Sequence, residues 1–268
     1  MKSVYVEAIG VCAPGLPDWG TCLRVLRGQV EYLPIDISEL VPLSLGPNER
    51  RRTTPQIKLA LHVAEQAVAH SMSNIEGLVA TFASSEGDLQ VVDKVCAALI
   101  QPGRPVSPMQ FHNIVHNAPA GYWSIGHHAS NCSTSIAASN DTFLAGLLYA
   151  YSTLIAEEVP VLLVCSDHPG PNVLNKYRPV SAAFGVAMIM MPERSPQCHT
   201  NLSLELAREG AESRMQNALL ERLRVGNPAG RALTLLKAIA SGQSERVVVK
   251  SLGEMRLIID VCPATYVH

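Results

Sequence analysis

Two continuous apolar runs constrain this chain more than any other feature: VPVLLVCS at residues 159–166 and AAFGVAMIMM at 182–191. Each is too short to cross a bilayer, which takes roughly 20 apolar residues, and neither alternates as a strand wetted on one face does. Such runs are strands buried on both faces, and a sheet buried on both faces needs helices on either side of it. The preceding chain offers them. VYVEAIGV (4–11) reads as a strand ending in the turn APGLPDWG, and a helix with Leu23, Val25 and Leu26 on one face follows. Proline-rich residues 32–48 read as an irregular connection. Thr54 before Pro55 signals a helix start, with Ile57, Ala60, Leu61, Ala64 and Val68 along one face of that helix. GLVATFASS (77–85) predicts a strand, LQVVDKVCAAL an amphipathic helix, and CSTSIAAS (132–139) a lead into a long apolar helix over 139–156. From about residue 200, LSLEL, a helical stretch over 211–226, a helix over 232–242 and two strands around Leu252-Gly253 read as a sheet edge with two covering helices. The class is layered α/β.

With 268 residues the chain can bury about three quarters of its unfolded surface in one core, without a disulfide or metal staple. One domain is expected. Charged residues are 16%, against about 25% in an average soluble domain, and AVILMFWYC residues reach 47%. A polar skin this thin points to a large core or an obligate interface. The net charge of −2 leaves no global field for nucleic acid or an anionic membrane. Seven cysteines (12, 22, 96, 132, 165, 198, 262), odd in number and without C-x-x-C, suit thiols in a reducing cytosol, mostly buried. The N-terminal run is broken by Glu7, which fits a strand better than a signal peptide. FLAGLLYAYSTLIA (143–156) stops at Glu157 and Glu158, short of a membrane span. A soluble, cytoplasmic protein is expected.

FHNIVHNAPAGYWSI (111–125) places His112 and His116 four residues apart, each followed by an asparagine. On one helical face that spacing suits zinc, yet HNIVH has no glutamate of the H-E-x-x-H kind and no third ligand at a recognisable distance. Hydrogen-bonded imidazoles at a helix start, with Asn113 and Asn117 bonding nearby backbone, are the better reading. Arg50, Arg51 and Arg52 form a run that could hold a phosphate, although a solvated helix lead-in is the commoner role of such a run. G-x-S-x-G is absent, but SIAAS before a very apolar helix still has the form of a nucleophile elbow. An elbow aims its residue into a pocket where backbone N–H groups and the helix dipole favour negative charge.

Taken together, VYVEAIGVCAPG, RTTPQIKLALHVAEQAV, FHNIVHNAPAGYWSI, SIAASNDTFLAGLL and FGVAMIMM resemble, in order and character, the N-terminal half of a β-ketoacyl synthase over roughly residues 1–195. SPMQFHNIVHNAPAGYWSI looks more specifically like the short β-ketoacyl-synthase-like proteins of aryl polyene pathways, which act as chain-length-factor-like partners of a true ketosynthase. The resemblance implies a thiolase-like layered fold for residues 1–268, with 1–195 a largely complete N-terminal half and 196–268 a strongly reduced C-terminal remnant.

In ketosynthases the elbow carries a cysteine in a Thr-Ala-Cys-Ala-Ser pattern. The resemblance puts Ala137 at that position, so no catalytic residue is expected, and Cys132, five residues upstream, counts as an ordinary thiol. Ser135 and Ser139 flank the position without a matching base. The family's two second-half histidine motifs are missing, and beyond His168 only His199 and His268 remain. The resemblance therefore implies a catalytically silent subunit paired with a full-length β-ketoacyl synthase, meeting acyl carrier protein through the complex and needing no cofactor or metal. Arg50, Arg51 and Arg52 are candidates for the carrier's phosphate. Beside the partner's acyl tunnel it places Gln110, Phe111, His112, Ile114, Val115, His116, Asn117 and Trp123. Phe111, Ile114, Val115 and Trp123 lead as tunnel wall, a helix would put Gln110, Ile114 and Asn117 on one side, and small Ala118, Ala120 and Gly121 would permit close backbone approach. The rival reading is a small acyltransferase or hydrolase on the same fold, using Cys132 or Ser139 with His112 or His116.

Overall fold

The computed structural model describes residues 2–251 and 253–264. Eight strands, β1 (Val4–Cys12), β2 (Val79–Ala83), β3 (Ser133–Ile136), β4 (Val161–Asp167), β5 (Phe184–Met191), β6 (Thr200–Ala207), β7 (Glu245–Lys250) and β8 (Arg256–Pro263), form one sheet in the order β3-β2-β4-β5-β1-β6-β8-β7. β2 runs parallel to β3 and β4, and the other neighbours are antiparallel. The helices are α1 (Trp19–Leu26), α2 (Pro47–Arg52), α3 (Pro55–Ala69), α4 (Leu89–Leu99), α5 (Pro108–Asn113), α6 (Ala118–His127), α7 (Thr142–Glu157), α8 (Asn172–Asn175), α9 (Ala218–Gly226) and α10 (Leu233–Ser241). Among the described residues no helix is long and apolar enough to cross a membrane.

The two continuous apolar runs are the middle of this sheet. β4 sends Val161, Leu163 and Cys165 into the core shared with α1, α7, α9 and α10, and Leu162 and Val164 into the opposite core against α3 and α6. β5 divides the same way, Met188 and Met190 to one side and Ala187 and Ile189 to the other. β1 changes parity along its length: Val4 and Val6, then Ile9 and Val11, all face the α7 side. A bulge between Val6 and Ala8 makes this possible by adding the one residue that flips the alternation. The extra residue is Glu7, whose carboxylate accepts from Ser73 Oγ at 2.8 Å and also from Ser71.

α3 begins as its sequence predicts. Thr54 Oγ1 accepts from the Ile57 N–H at 3.2 Å, and Pro55 occupies the first turn, where its missing N–H costs nothing. Its buried set is wider than the single face expected, taking in Leu59 and Val63 as well. It lies against β1, β4 and β5 on one side and meets α6 on another. The approach to β1 is close enough that a Cβ on Gly10 would fall 2.0 Å from the Val63 carbonyl oxygen.

Two local expectations are corrected. The helix expected over 211–226 starts only at Ala218, where Asn217 caps the N–H groups of Leu219 and Leu220. Ahead of it Ser213 is bound to β7, its N–H donating to Val248 O at 2.9 Å and its Oγ accepting from Val248 N. The helix expected from 139 starts at Thr142, after a single 3-10 turn over Ser139–Asp141. The cysteines are mostly buried, as expected: 12, 22, 165 and 198 are, Cys262 is half-buried, and Cys96 and Cys132 are exposed. Leu252, half of the expected turn, and His268 lie outside the described residues.

Candidate functional site at the carboxyl ends of the parallel strands

β2, β3 and β4 are the parallel strands, and their carboxyl ends open side by side. In open α/β sheets this is where side chains gather to act, because the loops there are free of the covering helices. Three loops meet: residues 84–88 after β2, 137–141 after β3, and 168–171 after β4.

Asp167, the last residue of β4, is buried at the centre. Its Oδ1 accepts from Ser85 N at 2.7 Å, Ser85 Oγ at 2.8 Å and Ser84 Oγ at 3.1 Å. Burial raises its pKa to about 6 against the pull of those donors. Asn227 ties the far side, its Nδ2 donating to the carbonyls of Asp167 and Ala182. Gln56, near the start of α3, donates to Ser166 O at 2.8 Å. These buried hydrogen bonds hold the strand ends in register, while Asp167 Oδ2 and Gln56 Oε1 are buried without a hydrogen-bond partner among the described residues.

His112 and His116 do not form a pair on one helix. α5 ends at Asn113 and α6 starts at Ala118, so His112 belongs to a helix and His116 to the connection. The break is dictated by Pro119, which cannot donate to the Val115 carbonyl and would crowd it in a continuous helix. The common side imagined for Gln110, Ile114 and Asn117 is lost with it.

His116 Nε2 lies 2.8 Å from the Ser84 carbonyl oxygen, and since a carbonyl only accepts, Nε2 carries the proton. Asn113 is buried; its Nδ2 donates to Arg52 O at 2.7 Å and its Oδ1 accepts from Tyr122 OH at 3.1 Å. His112 is exposed, set edge-on to the Tyr122 ring, and Asn117 is exposed at the start of α6. Among the described residues no three His, Cys, Asp or Glu side chains come together as a metal would require.

The proposed wall residues separate. Phe111 is 64% and Val115 48% exposed, with Gln110 and Ile114 half-buried. Trp123 is 1% exposed, packed against Phe82 and His127 within this chain, so it belongs to the core and lines no surface. Its place follows from α6 resting on β2. Ala118 and Ala120 are buried on that helix as well, whereas Gly121 is exposed.

The elbow after β3 is real. Ala137 is exposed, and the strain falls two residues on, at Ser139 with φ of 53°. Such a backbone is uncommon for a residue with a side chain and draws attention to the site. Thr142 secures the turn, its Oγ1 donating to Ser139 O at 2.7 Å and accepting from Ala138 N at 3.1 Å. Arg178 Nη2 donates to Ser139 Oγ at 2.8 Å, while its Nε donates to Glu86 Oε1 at 2.6 Å. A cavity of about 250 Å³ opens beside them, lined also by Asn140 and Tyr177. A guanidinium can stabilise an oxyanion but cannot take a proton, so Arg178 cannot serve Ser139 as a base. Arg178 and Glu86 escaped the sequence reading, because nothing in their spacing links 178 to 86 and 139. Cys132 precedes β3 and is exposed.

Arg50 of the triple-arginine run donates to Leu45 O at 2.8 Å and Arg51 to Asn48 Oδ1, so two of the three guanidinium groups brace α2 and its approach.

The family model described as β-ketoacyl synthase, N-terminal domain, matches residues 29–250. No curated protein matches the chain in sequence. Among solved structures, a chain of a ketosynthase in complex with its chain length factor from Xenorhabdus doucetiae superimposes with a TM-score of 0.72 at 18% identity, over 96% of this chain and 99% of that one. The ishigamide ketosynthase/chain length factor gives 0.75 at 11% identity, over 98% and 99%. A β-ketoacyl synthase from Burkholderia phymatum gives 0.68 at 9%, over 99% and 100%. The fold is thus the thiolase-like layered α/β expected.

Proposed function

The chain belongs to the family of the β-ketoacyl synthase N-terminal domain, and from that premise we propose that it is a catalytically silent, chain-length-factor-like partner of a full-length β-ketoacyl synthase. Its task is to complete the dimer and shape the space into which an acyl chain grows, in aryl polyene or polyketide-like extension on acyl carrier protein. The observation that carries this reading is the elbow. The position assigned to the nucleophile holds Ala137, and the nearby hydroxyl, on Ser139, accepts from Arg178 with no hydrogen bond to a base among the described residues. The near-complete mutual coverage with chains of ketosynthase/chain length factor structures adds support, since those chains are about as long as this one. So does the exposed apolar set Met109, Phe111, Val115 and Ile125 on α5, α6 and the turn between them, α6 being packed against the edge strand β3. Within this reading residues 196–268 are the reduced second half.

The test is reconstitution with the partner synthase, carrier protein and malonyl donor. The two chains should copurify as a heterodimer, products should form only with both present, and loss of the partner's cysteine should abolish them. Condensation by this chain alone would overturn the proposal.

The strained backbone of Ser139 favours a second reading, acyl transfer through its hydroxyl. Incubating the isolated chain with an acyl thioester and mapping adducts by mass spectrometry separates the two. An ester at Ser139 or a thioester at Cys132 supports transfer, and an unmodified chain supports the silent partner.

A further inference from the structure

Residues 27–46 contain no helix or strand and cross the outer side of α3 as a strap. Its ends are tied down. Gly15 N donates to Ile35 O at 2.7 Å, and Leu43 N and Ser44 N donate to the Glu65 carboxylate at 3.0 Å each. Between those anchors, from Asp36 to Pro42, the one polar tie among the described residues is the Glu39–Lys58 ion pair at 3.7 Å, with Glu39 84% exposed. Under this span is a cleft of about 690 Å³, and a second cavity of about 220 Å³ shares Ile37, Ser38, Glu39 and Leu40 with it. The combined space is within the range of sites for small ligands, roughly 300–1,000 Å³.

The lining states what chemistry fits. Its body is apolar, built from Ala13, Ile35, Ile37, Leu40, Val41 and Leu43, and Ile35 and Leu43 remain largely exposed at its mouth. In the larger cleft the charges are of one sign: Asp18, Asp36 and Glu39 line it, and among the described residues no lysine or arginine does, while Lys58, paired with Glu39, lines the smaller cavity. Asp18 already caps α1 by accepting from Thr21 N, which leaves Asp36 as the freest carboxylate. His62 adds no positive charge, because desolvation lowers its pKa and its Nε2 sits 2.9 Å from Gln66 Nε2. An anionic head group in the larger cleft would meet the exposed carboxylates of Asp18 and Asp36 with no lysine or arginine among the described lining residues, which Coulomb repulsion opposes, whereas a protonated amine would find its counter-charge there.

We propose that the cleft beneath the 36–42 strap binds a small apolar molecule carrying a protonated amine, with the carboxylates at its rim holding the ammonium and the aliphatic lining holding the body. This site is separate from the elbow and independent of the silent-partner reading. Binding of n-octylammonium, 1-octanol and octanoate to the full-length chain, below their micellar concentrations, would be measured by calorimetry. Saturable n-octylammonium binding at least tenfold tighter than 1-octanol, with octanoate weakest, is the expected result. Asp36→Asn with Glu39→Gln should reduce that preference to less than threefold while leaving 1-octanol unchanged, and Leu40→Trp should weaken both ligands. Equal binding of all three probes, no saturable binding, or an ammonium preference that survives the double charge substitution overturns the proposal. The charge variants alter exposed side chains, so their circular dichroism should match that of the parent.

Discussion

At the scale of single residues, burial separates side chains that the sequence presents as equivalents. Phe111 and Trp123 were both candidates for the tunnel wall, and the first is exposed while the second is core. Phe111→Ala or Ile114→Ala, in assembled heterodimers, should shift products to longer chains with an unchanged first condensation. Each extra methylene that finds a buried place contributes about 0.8 kcal/mol. Trp123→Ala should instead destabilise the chain by about 3–5 kcal/mol, as large core truncations do. Product lengths by mass spectrometry and denaturant midpoints check the two, and a stable, length-shifted Trp123 variant would contradict the placement.

Asp167 gives a residue-scale pH dependence. Its pKa rises on folding from 3.8 to about 6, so the folded state holds the proton more tightly. That contribution is fully present below about pH 3.8 and disappears as pH rises through 6, a change of about 3 kcal/mol. Asp167→Asn keeps an acceptor for Ser85 and removes the titration. Relative to the variant, the parent should therefore gain stability on acidification from pH 7 to pH 4. Parallel stability profiles for the two proteins would show that this carboxyl does not titrate as described.

At the scale of elements, the spacing between layers decides what fits. α7 crosses β2 and β4 at Gly146, where an added Cβ would lie 2.9 Å from Ala83 Cβ and 3.3 Å from Leu163 Cδ1. Helix propensity alone would make Gly146→Ala stabilising by about 1 kcal/mol, while overpacking a filled core costs about 1–3 kcal/mol. The crowding should win or cancel, giving a net change between about zero and 2 kcal/mol of destabilisation by urea titration. A gain of a full kcal/mol would mean that the helix can back away from the sheet. The α5–α6 break shows the complementary effect: Pro119 cannot continue the helix begun at Pro108, so two histidines at helical spacing fall on separate elements.

At the scale of the whole molecule, thin charge and exposed apolar side chains go together. Met109, Phe111, Val115 and Ile125 are water-facing in the chain by itself, and α6, which carries Ile125, packs against the edge strand β3. Expressed alone, the chain should aggregate or self-associate. With its synthase it should form a soluble heterodimer burying more than about 2,000 Å² in total. Sedimentation of each preparation checks this, and a monodisperse monomer at micromolar concentration would count against an obligate interface.

The sequence by itself determined the layered α/β class, the two central strands, α3 with its Thr54 cap, α4, and the elbow ahead of α7. These rest on local chemistry: continuous apolar runs, a capping side chain, a proline at a helix start, periodicity within one element. Only the tertiary structure decided that Trp123 is core, that His116 holds Ser84, that Ser139 is the strained residue of the elbow, and that Arg178 and Glu86 meet it there. Those facts depend on which distant segments the sheet order brings side by side. Separations of 39 and 92 residues, from Arg178 to Ser139 and to Glu86, carry no periodic signal that a single sequence could reveal.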